Sequence, residues 1–158
     1  ARILSFGGRR ADTLTSNPAA GEEAPEVMPN KHVMVVEDDA NTLSGYLEFL
    51  SAAGFDPMGV SDGAEALRIA IEHPPHVVVT DITLPGMNGF ALASALHDDS
   101  RTRNIPVIGL TAHWGVEVRS KAAECSMRAV LVKPCVPSHL VAELRRVLAS
   151  PAVPLGAR

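Results

Sequence analysis

The sequence predicts an α/β protein: a doubly wound, five-stranded parallel sheet with helices on both faces. Three observations carry this reading. Short β-branched runs alternate five times with segments of helical spacing between about residues 31 and 149. The runs are nearly continuous in Val, Ile and Leu, as strands buried on both faces are. The connections are short and rich in Gly, Pro, Asn and Asp, which suits strict βα alternation with right-handed crossovers.

The first strand, about 32 to 37, is the run His32-Val33-Met34-Val35-Val36 ending at Glu37. It feeds a helix with Leu43, Leu47 and Leu50 on one face, stopped at Gly54. Phe55 to Val60 is the second strand, expected to be interrupted at Pro57, which cannot donate to a ladder. Asp62 caps the next helix, with Glu65 three residues on as a capping-box variant, and Ala66, Leu67, Ala70 and Ile71 face inward. The third strand, about 76 to 81, leads through a Pro-Gly, Asn-Gly loop to a helix from about Gly89 to His97. The fourth, about 106 to 110, precedes a helix starting near Gly115. The fifth, about 129 to 132, precedes a last helix with Leu140, Val141, Leu144, Val147 and Leu148 on its apolar face.

The chain has 158 residues, enough for one domain with tails. Residues 1–30, rich in Gly, Ala, Pro, Ser, Thr and Glu without sustained period, read as a flexible arm or linker, and 150–158 as a Pro-broken tail. The start at Ala1 rather than Met suggests a fragment or processed product. A composition 46% hydrophobic and 20% charged supports a buried core, and a net charge of -4 gives no electrostatic reason for a nucleic-acid partner. No apolar run approaches the roughly 20 residues that span a bilayer, and no signal peptide is evident, so neither a membrane nor export is expected. Cys125 and Cys135 have neither zinc spacing nor a disulfide framework and read as ordinary thiols of a reducing cytoplasm. His73 and His76 read as loop residues.

Function is expected at the carboxyl ends of the strands, where open parallel sheets present ligands and reactive groups. An Asp at one strand end alone would read as a turn former or cap. Here four strand ends carry polar groups: Glu37-Asp38-Asp39, Asp81, Thr111-Ala112 and Lys133-Pro134. If Glu37, Asp38 and Asp81 meet, their like charges require a shared cation or bound protons, and a few hard oxygen ligands suit Mg²⁺. Lys133 offers a positive charge to a phosphoryl oxygen, and the Thr111 hydroxyl and Ala112 N–H offer donors to others. Asp81 is then the best nucleophile, since a carboxylate accepts a phosphoryl group without needing a general base.

These residues resemble the receiver domain of two-component response regulators, over about residues 31 to 149. Val35-Val36-Glu37-Asp38 is similar to the acidic pair after that family's first strand, and Asp81 through Gly89 to its phosphoacceptor strand and loop. Ile105 to Ala112 is similar to the switch-threonine strand, Lys133-Pro134 to the lysine and its proline, and Ser61 to Leu67 to the start of the second helix. The resemblance implies a flavodoxin-like (βα)5 fold and transfer of a phosphoryl group to Asp81 from a histidine of a sensor kinase or phosphotransfer protein. It implies Mg²⁺ held by Asp38, Asp81 and the Thr83 carbonyl, with Glu37 acting through water, and a cis Lys133–Pro134 bond. The effector or output domain is expected outside this chain.

The pattern departs from the family in places. Val130 stands where an aromatic ring often reports activation, Cys135 where Phe often follows Lys-Pro, and Ser126 at a turn position often held by Gly. The switch is therefore expected to depend on the Thr111–Gly115 loop and Trp114, which reads equally as a partner contact or as helix-start packing. Asp39 either replaces Glu37 or caps the first helix, and the preference of Asp for N-caps favours the cap. An aspartate-nucleophile phosphohydrolase of the haloacid-dehalogenase type is the alternative reading, but it needs an Asp two residues after the nucleophile, where this chain has Thr83. A small flavin carrier is a third, opposed by the acids after the first strand and the lack of a phosphate-binding loop there.

Overall fold

The computed structural model describes residues 31–150; the arm inferred from the sequence, and the tail from residue 151 on, lie outside the described residues. Strands β1 (His32–Val36), β2 (Asp56–Val60), β3 (Val77–Asp81), β4 (Val107–Thr111) and β5 (Ala129–Val132) alternate with helices α1 (Ala40–Ala52), α2 (Gly63–Glu72), α3 (Gly89–Asp98), α4 (Val116–Glu124) and α5 (Pro137–Ala149). All pairings are parallel, in the order β2-β1-β3-β4-β5. The order reverses between β1 and β3, so the ends of these strands form the crevice in which doubly wound sheets bind ligands.

Each sheet face carries its own core. Val33, Val35, Val77, Val79, Ile108 and Leu110 point to α1 and α5, where Tyr46, Leu50, Leu140 and Leu144 meet them. Met34, Val36, Val78 and Val107 point the other way, to Ala66, Ala70, Leu92, Leu96 and Met127. Alternate residues of β1 and β3 thus serve opposite cores, which is why these strands are apolar without interruption.

Two expectations are corrected. β2 is continuous through Pro57. It is an edge strand, and because the Asp56 N–H bonds inward to the Lys31 carbonyl, the nitrogen of the next residue faces away from the sheet, where no ladder bond is lost. On α2, Ile69 rather than Ile71 joins the core. Ala66 and Ala70 define the buried face; Ile69, three residues from Ala66, lies beside it on the helix surface, whereas Ile71 is turned farther round the helix.

The caps follow their chemistry. The Asp39, Asp62 and Asn88 side chains accept the N–H groups of Thr42, Glu65 and Ala91 at the starts of α1, α2 and α3. Asp39 is thus a helix cap, and Pro137 opens α5, where a missing N–H costs nothing. Ser126 takes φ 63°, the left-handed conformation that the glycine often found there would adopt without strain. Cys125 and Cys135 are free, with burial raising both thiol pKa values and keeping them protonated.

Candidate functional site

β1 and β3 are neighbours with Val36 opposite Thr80, so Glu37 and Asp81 emerge side by side at the carboxyl edge. β4 and β5 bring Thr111 and Lys133 to the same edge, with Thr111 paired to Val132. The approach of α3 is made possible by Gly89. A Cβ there would lie 2.6 Å from the Asp81 carbonyl oxygen, and its N–H bonds the Ile82 carbonyl at 2.9 Å. Asn88 caps the same helix, so the Asn-Gly pair both starts α3 and lets it close on the strand end.

Oxygen atoms of Glu37, Asp38 and Asp81 lie within 4.8 Å of one another. Glu37 and Asp81 are buried, while Asp38 is exposed. The Lys133 amine bridges the buried pair, 2.9 Å from Asp81 Oδ2 and 3.1 Å from Glu37 Oε2. The remaining oxygen of each is held by a backbone donor: the Thr83 N–H reaches Asp81 Oδ1 at 3.0 Å, and the Asp39 N–H reaches Glu37 Oε1 at 3.0 Å. Burial opposes the charge on Lys133, but the hydrogen bonds and charges of Asp81 and Glu37 outweigh it and hold the amine above its ordinary pKa. The Lys133–Pro134 bond is cis.

Thr111 is buried, and its hydroxyl donates to the His113 carbonyl at 2.8 Å and accepts the His113 N–H at 3.2 Å. It therefore closes the loop after β4 rather than bonding Asp81. Ala112 and Thr83 are exposed at the rim. Trp114 is 49% exposed and belongs to neither core, so it is a surface residue and not helix-start packing. Val130 is half-buried against the α2–α4 core.

Glu37, Asp38, Asp81 and Lys133 meet at one edge as the strand ends suggest, but several of their bonds leave no sign in the sequence. Lys133 is expected to aim at Asp81 and at a phosphoryl oxygen, and its pairing with Glu37 is a further bond. The bonds from the backbone donors of Thr83 and Asp39 are others. The close approach at Gly89 was legible in principle, since a Gly after an Asn at a helix start points to a backbone contact.

Chemically, the edge presents a buried carboxylate with a cation on one oxygen, a neighbouring acid pair, and open space on the side of Asp38. Such an arrangement offers a carboxylate oxygen as nucleophile and oxygen ligands for a divalent ion. Comparison with known proteins agrees with this class. The model of the response regulator receiver domain matches residues 33–145, and the chain belongs to this family. The transcriptional regulatory protein PrrA of Mycobacterium tuberculosis is 36% identical over 116 residues, 73% of this chain and 49% of PrrA. The chain therefore spans about half the length of that relative. The polar-differentiation response regulator DivK of Brucella abortus is 36% identical over 106 residues, 66% of this chain and 85% of DivK.

Among solved structures, the chemotaxis protein CheY4 of Vibrio cholerae superposes with a TM-score of 0.72 at 28% identity, over 75% of this chain and 98% of CheY4. The receiver domain of the sensor histidine kinase PA1611 from Pseudomonas aeruginosa, with a magnesium ion coordinated in its active-site cleft, superposes with a TM-score of 0.71 at 25% identity, over 77% of this chain and 99% of that one. Residues 33–145 are thus a receiver domain of flavodoxin-like fold, and the phosphohydrolase alternative has no support. Among the described residues no helix is long and apolar enough to cross a membrane.

Proposed function

We propose that Asp81 is the residue that accepts the phosphoryl group. The observation that carries this is the Asp81 carboxylate, buried at a strand end, with Lys133 at 2.9 Å on one oxygen and the Thr83 N–H at 3.0 Å on the other. The donor is a phosphohistidine of a sensor histidine kinase or histidine phosphotransfer protein. A carboxylate oxygen forms the new P–O bond as the P–N bond breaks, and the electron pair of the P–N bond leaves with the imidazole, which takes a proton from water. No general base is needed, because a carboxylate oxygen, unlike a hydroxyl, attacks without first giving up a proton. Lys133 neutralises charge on the entering group, and the Ala112 N–H and the Thr111 hydroxyl donate to its other oxygens.

Glu37, Asp38 and Asp81 fit a hard divalent cation, the Thr83 carbonyl is the further ligand the family likeness suggests, and Mg²⁺ held there would offset the negative charge that phosphoryl and carboxylates bring together. The chain acts as an acceptor that alters its own binding surface, with slow self-dephosphorylation, rather than as an enzyme turning over a separate substrate. Its partners are the phosphodonor protein and an effector or output domain beyond residues 31–149, in a cytoplasmic setting. For the Thr111 hydroxyl to reach a phosphoryl oxygen it must leave the His113 carbonyl, which would move the loop carrying Trp114 while Val130, stiff at χ1, keeps its packing.

Incubation with acetyl phosphate and Mg²⁺, read by intact mass, tests this reading. The protein gains one phosphoryl group and its Trp114 fluorescence changes. Thr111→Ala still gains the group with a smaller fluorescence change, and Asp81→Asn gains none. Undiminished labelling of Asp81→Asn would overturn the assignment.

A further inference from the structure

At the opposite pole of the sheet from Asp81 lies a cleft of about 670 Å³, a size that accommodates a few side chains of an extended segment. Its walls are His32, Asp56, Pro57 and Met58 from β1 and β2, and Glu72 to Pro75 from the end of α2 and the loop beyond. The cleft has a local cause. Pro74 drives His73 out of helical conformation, to φ -137° and ψ 81°, so α2 stops at Glu72 and leaves the start of β2 uncovered on that face. Met58 is consequently 46% exposed. Both carboxylates of the walls are already paired, Asp56 with His32 at 2.8 Å and Glu72 with Arg68 at 3.1 Å.

We propose that this cleft is the docking site for the segment just upstream, residues 22–30 of the same chain. Three features select that occupant. The described chain begins at Lys31, next to the wall residue His32, so the segment is delivered to the cleft mouth at high effective concentration. Val27 and Met28 are the only large aliphatic residues between Thr15 and Lys31, and they stand three or four residues from Lys31, a reach of roughly 10–14 Å in extended chain. Pro25 and Pro29 disfavour helix on both sides of them, which suits an extended strand-like entry.

The inference goes beyond the phosphoacceptor reading and does not depend on it. It is tested on the full 158-residue chain by methyl NMR with labelled methionines. A nuclear Overhauser contact between the Met28 and Met58 methyl groups is expected. Val27→Asp/Met28→Asp should abolish it and shift the amide signals of Met58, Glu72 and His73, leaving those of Asp81 and Lys133 in place. Absence of the methyl contact with unshifted cleft signals in the double variant overturns the proposal. A contact seen only between differently labelled copies overturns it in favour of a second chain as occupant.

Discussion

The two poles of the sheet carry the same kinds of contact in different surroundings. At the amino pole, His32 Nδ1 lies 2.8 Å from Asp56 Oδ2, with the side chains 55% and 62% exposed. At the carboxyl pole, Lys133 lies 2.9 Å from Asp81, with side chains 26% and 9% exposed, and also holds Glu37, which is 2% exposed. Distance does not separate the two; solvent does. Water screens the first pair, so its worth is small. The second cluster places two carboxylates where each unpaired charge is costly, so it persists only because Lys133 and two backbone N–H groups answer both acids. The lesson is that a charge cluster points to chemistry when its burial demands compensation, not when its partners are merely close.

The largest test of this contrast is removal of the compensating charge. Lys133→Met should lower unfolding free energy in urea by about 2–3 kcal/mol, below the usual range for a fully buried pair because Lys133 is partly exposed. His32→Ala should cost no more than about 1 kcal/mol. Equal losses at the two poles would dissolve the comparison.

A divalent ion sharpens it. Millimolar Mg²⁺ should raise the melting temperature of the wild-type protein by mass action, and by clearly less in Asp38→Ala, where an exposed ligand is gone. Disruption of the amino pole by His32→Ala should leave the Mg²⁺ response intact. Identical shifts in wild type and Asp38→Ala would remove Asp38 from the cation site.

The poles should also titrate at opposite ends of the pH scale. Lys133 has its pKa raised above its ordinary 10.5, so the stability it contributes is full below that value and is lost as pH rises through the folded-state pKa. His76 has its pKa lowered from an ordinary 6.5, by burial and then by the nearby Lys31 and His32, and its Nδ1 accepts the His32 N–H at 2.9 Å. Its neutral form is favoured by folding, so this contribution is present above pH 6.5 and fades as pH falls through the lower folded value. Because His76 is exposed, the effect should stay under about 0.5 kcal/mol. Urea titrations of wild type, Lys133→Met and His76→Gln across pH should each flatten one limb; an unchanged acid limb in His76→Gln would exclude the histidine.

The smallest change is expected at a loop of the amino pole. Ser126 holds φ 63° in the turn before β5, and Ser126→Gly should be neutral or stabilising by no more than about 0.3 kcal/mol, since relief of left-handed strain is largely cancelled by the entropy of glycine. A loss of stability would mean that the Ser126 side chain contributes more than its backbone costs.

Much of this was legible in the sequence because each strand declares itself twice, by an uninterrupted apolar run and by the polar residue that ends it. Asp81, Lys133 and the acids after β1 could be gathered from topology alone. Pro57 misled because a sequence does not say which strand lies at an edge, and Ile71 because an apolar residue flanking a helix face looks equivalent to one on it. The bonds from Thr83 and Asp39 to the carboxylates depend on backbone direction in turns, and the Lys133–Glu37 contact spans 96 residues, so neither leaves a mark in local spacing.

The central claim is that one buried carboxylate, Asp81, takes the phosphoryl group while its acidic neighbours do not. The most direct measurement is to phosphorylate the full chain with acetyl phosphate and Mg²⁺, reduce the acyl phosphate with borohydride, and locate the resulting homoserine by peptide mass spectrometry. The account predicts homoserine at position 81 and unmodified residues at 37 and 38; homoserine at position 38, with Asp81 intact, would contradict it.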